Sequence, residues 1–409
     1  MSAVIESTIH PSRASGVSPL ALGASDRAIA FDARGPITLA RFLAEVRGVA
    51  QELPEATHVL NLCEDRYRFL VAFGAAATRG QVTLLPSSRA EAAVAQVRRE
   101  YPDSYCIVDA DCTRTASADY HVLSPDLPRA DGDVPCIATD ALVAIGFTSG
   151  STGQPTPTPK RWSAFVAGTG QNLAALDGFI ADAGNGAITR VVATVPPQHM
   201  YGMEMSVLLP LLGPVAVHCG RPFFPADIAT ALGDASLPPV LVTSPVHLRA
   251  LLQSDVVLPP LAGIVCSTAP LPPELAAAAE QRYGCEVREL FGSTETCVFA
   301  HRRTASEQAW TPLPGVRLTP QPDGTRVGAP HLAETVLLAD LVEVQADGRF
   351  LLRGRNADLL EIAGKRASLG DLTRLLLAVP GVVDGVVLQL DAEEGGVRRI
   401  AAIVVAPGM

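Results

Sequence analysis

The stretch Ala141-Leu142-Val143-Ala144-Ile145-Gly146-Phe147-Thr148-Ser149-Gly150-Ser151-Thr152-Gly153-Gln154-Pro155 decides how the rest of the chain is read. An apolar run with strand character feeds directly into a loop of hydroxyl and glycine residues. Glycines let such a loop turn tightly with its N–H groups exposed, and the hydroxyls add donors, so the loop can hold phosphate. It lacks the Gly-Lys-Ser/Thr that ends the usual nucleotide loop. The nearest lysine, Lys160, follows only after Pro155-Thr156-Pro157-Thr158-Pro159. A Ser/Thr/Gly segment on its own also fits an ordinary solvated loop, so the surroundings have to decide.

The bulk properties narrow the possibilities. The 409 residues suffice for two or three domains with real cores. With 48% hydrophobic and 18% charged residues, the chain is globular in composition. Its 32 basic and 42 acidic residues give a net charge of −10, which disfavours nucleic-acid binding through phosphate neutralisation. A nucleotide is still admissible, because a few local donors and a Mg²⁺ ion suffice. The eight cysteines include no CxxC pair and read as buried thiols in a reducing compartment. No apolar run reaches membrane-spanning length and the N-terminus has no signal-like pattern, so a cytoplasmic protein is expected.

Along the chain, residues 1–35 read as an irregular lead-in. The spacing of Ile37, Leu39, Phe42, Leu43, Val46, Val49 and Ala50 predicts an amphipathic helix over 38–53. A strand over 58–63, a helix over 65–78 and a strand over 81–85 then form a βαβ unit. The pattern returns with strands at 239–243, 261–266 and 285–290 separated by helices at 245–252 and 272–283. Two successive crossovers build a parallel sheet with helices on its faces, and ligands bind beyond the carboxyl ends of its strands. Those ends carry Ser267-Thr268-Ala269-Pro270-Leu271 and Phe291-Gly292-Ser293-Thr294-Glu295. From about residue 310, short β-like runs with Asp-Gly turns at 323–324 and 347–348 predict a small β-rich subdomain, followed by a last helix and two strands. The fold class is therefore α/β, with several subdomains.

Four islands occur in order: Thr148–Pro155; Pro196-Pro197-Gln198-His199-Met200-Tyr201-Gly202; Leu290–Glu295; and Ala339-Asp340-Leu341 through Gly348-Arg349-Phe350 to Gly354-Arg355-Asn356-Ala357-Asp358. Together they resemble the adenylate-forming superfamily of acyl-CoA synthetases, peptide-synthetase adenylation domains and luciferase-like ligases. The resemblance implies that ATP and Mg²⁺ are used to activate a small carboxylic acid as its acyl-adenylate, which is passed to a thiol. By match to the family motifs, Thr148, Ser149, Gly150, Ser151, Thr152 and Gly153 would hold the β- and γ-phosphates of ATP. Lys160 would close that loop, displaced by the Thr-Pro insertion. Glu295 would hold Mg²⁺, Thr294 the α-phosphate, and Phe291 with Gly292 the adenine. Ser267, Thr268 and Ala269 would line the adenine and acyl pocket, with Met200, Tyr201 and Gly202 forming its acid-facing wall. Asp340 and Arg355 would bind the ribose, and His199 would stand between the acid and the α-phosphate. As single residues, His199 equally fits a packed core histidine, Phe291 a core aromatic, and the Arg355/Asp358 pair a surface ion pair.

The same resemblance implies an N-terminal ATP- and acid-binding domain over 1–354 and a C-terminal lid over 355–409. The lid is expected to be partial, because no lysine in a Gly-Lys context follows the strand at 400–405. Adenylation is accordingly expected to be weak. The compressed N-terminal part and the Pro155–Lys160 segment are similar to the ligases of aryl-polyene, xanthomonadin-type pigment pathways, which implies a hydroxybenzoate-type acid and the phosphopantetheine thiol of an acyl carrier protein as acceptor. The alternatives are an aryl- or medium-chain acyl-CoA ligase and a lidless adenylate-binding protein with little catalysis.

Overall fold

The computed structural model describes residues 16–109, 119–149, 155–180, 187–355, 359–362, 365–377, 379–382, 384–390 and 400–406. Contacts divide the chain into two compact units, one of Met1–Val298 with Arg303–Ser306 and one of Phe299–Arg302 with Glu307–Met409. The expected division at residue 354 falls inside the second.

The first unit opens with β1 (Val17–Pro19), β2 (Ala28–Asp32), β3 (Gly35–Thr38) and α1 (Leu39–Glu52). The Thr38 hydroxyl caps α1 by accepting from the Arg41 N–H at 3.2 Å. There follow β4 (His58–Asn61), α2 (Arg66–Thr78), β5 (Val82–Leu85), α3 (Glu91–Glu100), β6 (Ser104–Val108) and β7 (Tyr120–Val122). After β8 (Cys136–Ala138), which pairs only with β1, come β9 (Leu142–Ser149) and β10 (Pro155–Arg161). One sheet takes the order β10-β9-β5-β4-β6-β7, with every pairing parallel except the antiparallel β9–β10 hairpin. Leu60, Leu84, Cys106, Ile145 and Phe147 of this sheet pack against Val94 and Val97 of α3.

The second sheet of this unit follows α4 (Trp162–Ala175) and starts at β11 (Thr189–Ala193). A continuous helical segment then runs through α5 (Met200–Met203), a π-helical stretch at Glu204–Leu208 and α6 (Leu209–Leu212). Next are β12 (Val215–His218), α7 (Pro225–Gly233), β13 (Val240–Thr243), α8 (Pro245–Gln253), β14 (Gly263–Cys266), α9 (Pro273–Tyr283) and β15 (Val287–Ser293). The strands lie in the order β15-β14-β13-β11-β12-β2-β3, parallel up to β2. Helix α9 shows how sequence sets its bounds. Pro273 opens the first turn, where no N–H is needed, and Gly284 closes it at φ 65°. Leu248, Leu251, Ala276 and Ala279 of the helices meet Val192, Leu241 and Ile264 of the strands in one core.

Two expectations are corrected here. Residues 28–32 are not irregular lead-in but β2, paired parallel with β12 at Ala30↔Val217. The Thr-Pro-Thr-Pro segment is not a loop insertion but strand β10, in register from Pro155↔Ser149 to Lys160↔Ala144. Proline is tolerated because β10 is the sheet edge, and on an antiparallel edge alternate residues turn their N–H groups outward. The cysteine reading holds for most positions. Cys63, Cys106, Cys219, Cys266 and Cys297 are buried free thiols, whereas Cys136 is exposed.

In the second unit, β16 (Cys297–Arg302), which begins in the first, pairs with β17 (Thr311–Pro312). Three antiparallel strands follow, β18 (Arg317–Gln321), β19 (Gly324–Gly328) and β20 (Val336–Leu338), then the hairpin β21 (Asp340–Val344) and β22 (Phe350–Arg355). Gly348 takes φ 83° in the predicted Asp-Gly turn of that hairpin. Phe350, fully buried, stacks between Phe299 and Trp310 with centroids 6.3 and 6.5 Å away. The chain continues with β23 (Leu359–Ile362), β24 (Lys365–Ser368), α10 (Leu369–Leu377), β25 (Asp384–Gln389) and β26 (Ile400–Val405). Among the described residues no helix is long and apolar enough to cross a membrane.

The two sheets of the first unit are joined through Arg66, at the start of α2 and wholly buried. Its NH2 group donates to the carbonyls of Ala193 and Val195, each at 2.8 Å, and NH1 donates to the Ser206 hydroxyl. Burial, and secondarily the neighbouring Arg221, lowers its pKa to about 9, so it stays charged at neutral pH. Replacing it with methionine strands two carbonyls in a dry interface. Arg66→Met should therefore lower the unfolding free energy by about 3 kcal/mol, read as an earlier urea midpoint, and Arg66→Lys should recover less than half of that.

Candidate active site

The β9–β10 hairpin carries the glycine-hydroxyl loop at its tip. Gly150, Ser151, Thr152 and Gly153 lie outside the described residues, as does the Ser149 side chain. Thr148 is half-buried and pairs with Thr156 across the ladder. Two residues earlier, Gly146 leaves room for a neighbour. A Cβ there would come within 2.7 Å of Thr294 Cγ2 and 3.2 Å of Met200 Cε. The strand leading to the loop, the 290s motif and the wall of the expected acid pocket therefore meet at this glycine.

The turn after β15 is built to hold Thr294 and Glu295 at its top. Gly292 packs directly on the Cys297 carbonyl, leaving no space for a side chain, and Cys297 takes φ 56°. Ser293 N–H donates to Thr296 Oγ1 at 3.0 Å, and Thr296 N–H donates back to Ser293 Oγ at 3.2 Å. Thr294, Glu295 and Phe291 are all half-buried. Among the described residues no group of three or more His, Cys, Asp or Glu converges as a metal site. One accessible carboxylate suits Mg²⁺, which is commonly held by one or two carboxylates with substrate phosphates and water.

Beneath this turn lies a polar cluster. Lys160 is only 4% exposed, and its ammonium donates to the Glu295 carbonyl at 3.0 Å. Glu204, 3% exposed in the π-helical stretch, accepts from Val298 N–H at 3.2 Å and from Asn172 Nδ2 at 3.0 Å. Burial raises its pKa to about 7 against the opposing pull of Asn172, Val298 and Lys160. Sequence reasoning missed Glu204 and Asn172. The signal was available, since Glu204 is the one carboxylate in the apolar run Met200–Leu212.

The second island is closely packed. Met200 and Tyr201 are buried, and the Tyr201 hydroxyl donates to the Val265 carbonyl of β14 at 2.9 Å. Gly202 packs on the Pro196 carbonyl so closely that no Cβ fits. His199, at the head of α5, is exposed at its surface, yet local desolvation lowers its pKa, which keeps the ring neutral at physiological pH. On the neighbouring strand end, Ser267 Oγ donates to the Leu290 carbonyl at 2.9 Å. Thr268, at φ 84°, and Ala269 are exposed. A non-glycine residue at positive φ costs roughly 1–3 kcal/mol and tends to occur where a ligand is held. Asp340 and Arg355 belong to the second unit, where they are direct partners in the β21–β22 ladder.

A family model described as AMP-binding enzyme matches residues 37–356. A 4-coumarate–CoA ligase of Rhodobacter capsulatus is 31% identical over 307 residues, covering 72% of this chain and 73% of that protein. A 4-coumarate–CoA ligase of Halorhodospira halophila is 29% identical over 266 residues, covering 63% of this chain and 62% of that protein. The fold matches the crystal structure of ATP-bound MatB from Rhodopseudomonas palustris at TM-score 0.77 and 19% identity, covering 94% of this chain and 86% of that one. It also matches o-succinylbenzoate CoA synthetase from Bacillus subtilis in complex with its acyl-adenylate OSB-AMP, at TM-score 0.75 and 16% identity, covering 91% and 85%.

Glu204 makes a pH signature. Its folded pKa lies above that of an exposed glutamate, so the ionised form opposes folding. The penalty is absent below pH about 4.5, grows up to about pH 7 and is constant beyond. Relative to Glu204→Gln, the natural protein should lose up to about 3 kcal/mol between these limits. Denaturant midpoints of both proteins at pH 5 and pH 8 check this, and parallel curves would refute it.

Proposed function

The chain belongs to the AMP-binding enzyme family, and from that premise we propose that it activates a hydroxylated aromatic carboxylic acid and hands the acyl group to a phosphopantetheine thiol. In the first step a carboxylate oxygen bonds to the α-phosphorus of ATP, and the bond from that phosphorus to the β-phosphate bridge breaks, releasing pyrophosphate. In the second, a thiolate attacks the acyl carbon and AMP leaves. The first step needs alignment and charge stabilisation more than a nucleophile from the protein. The observation that carries this reading is the meeting of the β9 strand end, Thr294 and Met200 at Gly146.

In this reading Thr148, Ser149 and the glycines Gly150 and Gly153, with Ser151 and Thr152, hold the β- and γ-phosphates. Thr294 contacts the α-phosphate and Phe291 the adenine. Glu295 holds Mg²⁺, which supplies neutralisation of the phosphate charge when bound. Asp340 and Arg355 take the ribose hydroxyls, and their ladder pairing supports a joint role. Ser267, Thr268 and Ala269 line the pocket with Met200, Tyr201 and Gly202. His199 acts as a neutral hydrogen-bonding group at the pocket mouth, not as a fixed cation. Residues 355–409 serve as the lid, and Gly354, at φ 103°, gives the hinge its freedom. An aromatic acid is favoured by the two relatives named for 4-coumarate. CoA and acyl carrier protein present the same thiol arm, and CoA alone adds a phosphorylated ADP. A cytoplasmic setting, where all three substrates occur, completes the proposal.

Thermal stabilisation by non-hydrolysable hydroxybenzoyl-, coumaroyl- and octanoyl-adenylate analogues tests the acid. One of the two aromatic compounds should shift the melting point most, by the equivalent of about 4 kcal/mol at a thousandfold excess over Kd. A preference for octanoyl would move the assignment to fatty acids. Turnover with CoA against carrier protein then separates the acceptors. Gly146→Val, which drives a side chain into Thr294, should weaken ATP binding at least tenfold while leaving the fold intact by circular dichroism.

A further inference from the structure

From the buried cluster under the Glu295 turn we infer that Lys160 is a positioning residue which, with Glu204 and Asn172, holds the metal-binding carboxylate in place and so sets the Mg²⁺ requirement for ATP. The inference rests on the adenylate-forming reading above and reassigns a residue that the motif order alone would put on the phosphates.

Three observations carry it. Lys160 is turned into the protein, with its ammonium on the Glu295 carbonyl and a further bond to the Cys297 thiol. Its backbone lies five residues beyond Pro155 along a strand, opposite Ala144 of β9, about 17 Å at 3.3 Å per residue. The turn is also held at its other end, where both Glu204 carboxylate oxygens accept from Val298 N–H at 3.2 Å. Lys160 and Glu204 attract each other, so the two fixings form one unit. Finally, Asn172 donates to Glu204 from α4, the helix that directly follows β10. Strand, turn, π-helical stretch and helix are thus closed into a circuit by buried polar contacts.

An ammonium suits this task because it is a compact donor that can serve a carbonyl and a thiol while balancing a buried carboxylate. Without it the Glu295 carbonyl loses a donor and Glu204 loses the attraction of a nearby positive charge, and the turn relaxes. Outer partners of metal ligands commonly alter metal affinity 10- to 100-fold. The effect should therefore appear in Mg²⁺ dependence and not in contacts to the adenylate itself.

The test titrates Mg²⁺ into the full chain with α,β-methylene-ATP and, separately, measures binding of an acyl-adenylate analogue without metal. Lys160→Met should raise the Mg²⁺ concentration for half-maximal nucleotide binding about tenfold or more, with analogue affinity changed less than about threefold. Glu204→Gln should act in the same direction, and the double variant should be no worse than the poorer single one, since the two act as a unit. Asn172→Leu, which removes only the outer bond, gives a milder route should Lys160→Met fail to fold, with about a threefold rise expected. Weaker metal-free binding of α,β-methylene-ATP by Lys160→Met, with an unchanged Mg²⁺ requirement, would make Lys160 a direct phosphate ligand and overturn the inference. So would additive effects of Lys160→Met and Glu204→Gln. If the unaltered protein binds neither compound, the adenylate reading itself fails, and this inference with it.

Discussion

A buried guanidinium at the seam of two parallel sheets is the interaction on which the first unit depends. Parallel strands end with carbonyls that have no partner in the ladder, and the two sheets meet where such carbonyls would be dry. Arg66 supplies donors to Ala193 and Val195 from a helix of the other sheet. It also reaches Ser206 in the π-helical stretch, so the same contact locates the segment that follows His199–Gly202. The geometry of the site is in this sense a by-product of how the sheets are sewn together.

Much of this was legible in the sequence. The units around α2 and between β13 and β15 read off directly because their periodicity, proline starts and glycine stops are local. Glu295 and Thr294 stood out for the same reason, since the tight turn that presents them is encoded within a few residues. Strand β2 was not legible. Ala28–Asp32 is short, lies among small polar residues, and becomes a strand only because β12, far along the chain, offers a parallel edge. The burial of Lys160 was hidden for a related reason. Motif order names its neighbours in sequence, but the β10 ladder decides which way it faces. Glu204 and Asn172 become a pair only after α4 and the π-helical stretch have packed.

The polar cluster and the apolar cores have different roles. Leu, Ile and Val side chains in the two sheets supply most of the hydrophobic stabilisation and tolerate exchange of similar volumes. Buried charges cost stability and are kept where they fix geometry. One group of them, Lys160 and Glu204, gathers under the Glu295 turn, while Arg66, Glu45 and Glu289 lie buried elsewhere in the first unit, each held by its own polar contacts.

The alternating prolines of β10 carry one more consequence. A sheet edge normally presents a row of N–H donors to any passing strand, inviting a second molecule to add on. At Pro155, Pro157 and Pro159 those outward donors do not exist, so a neighbouring chain finds no ladder to extend. The edge of β10 therefore offers a second copy of the chain few donors along which to add a strand.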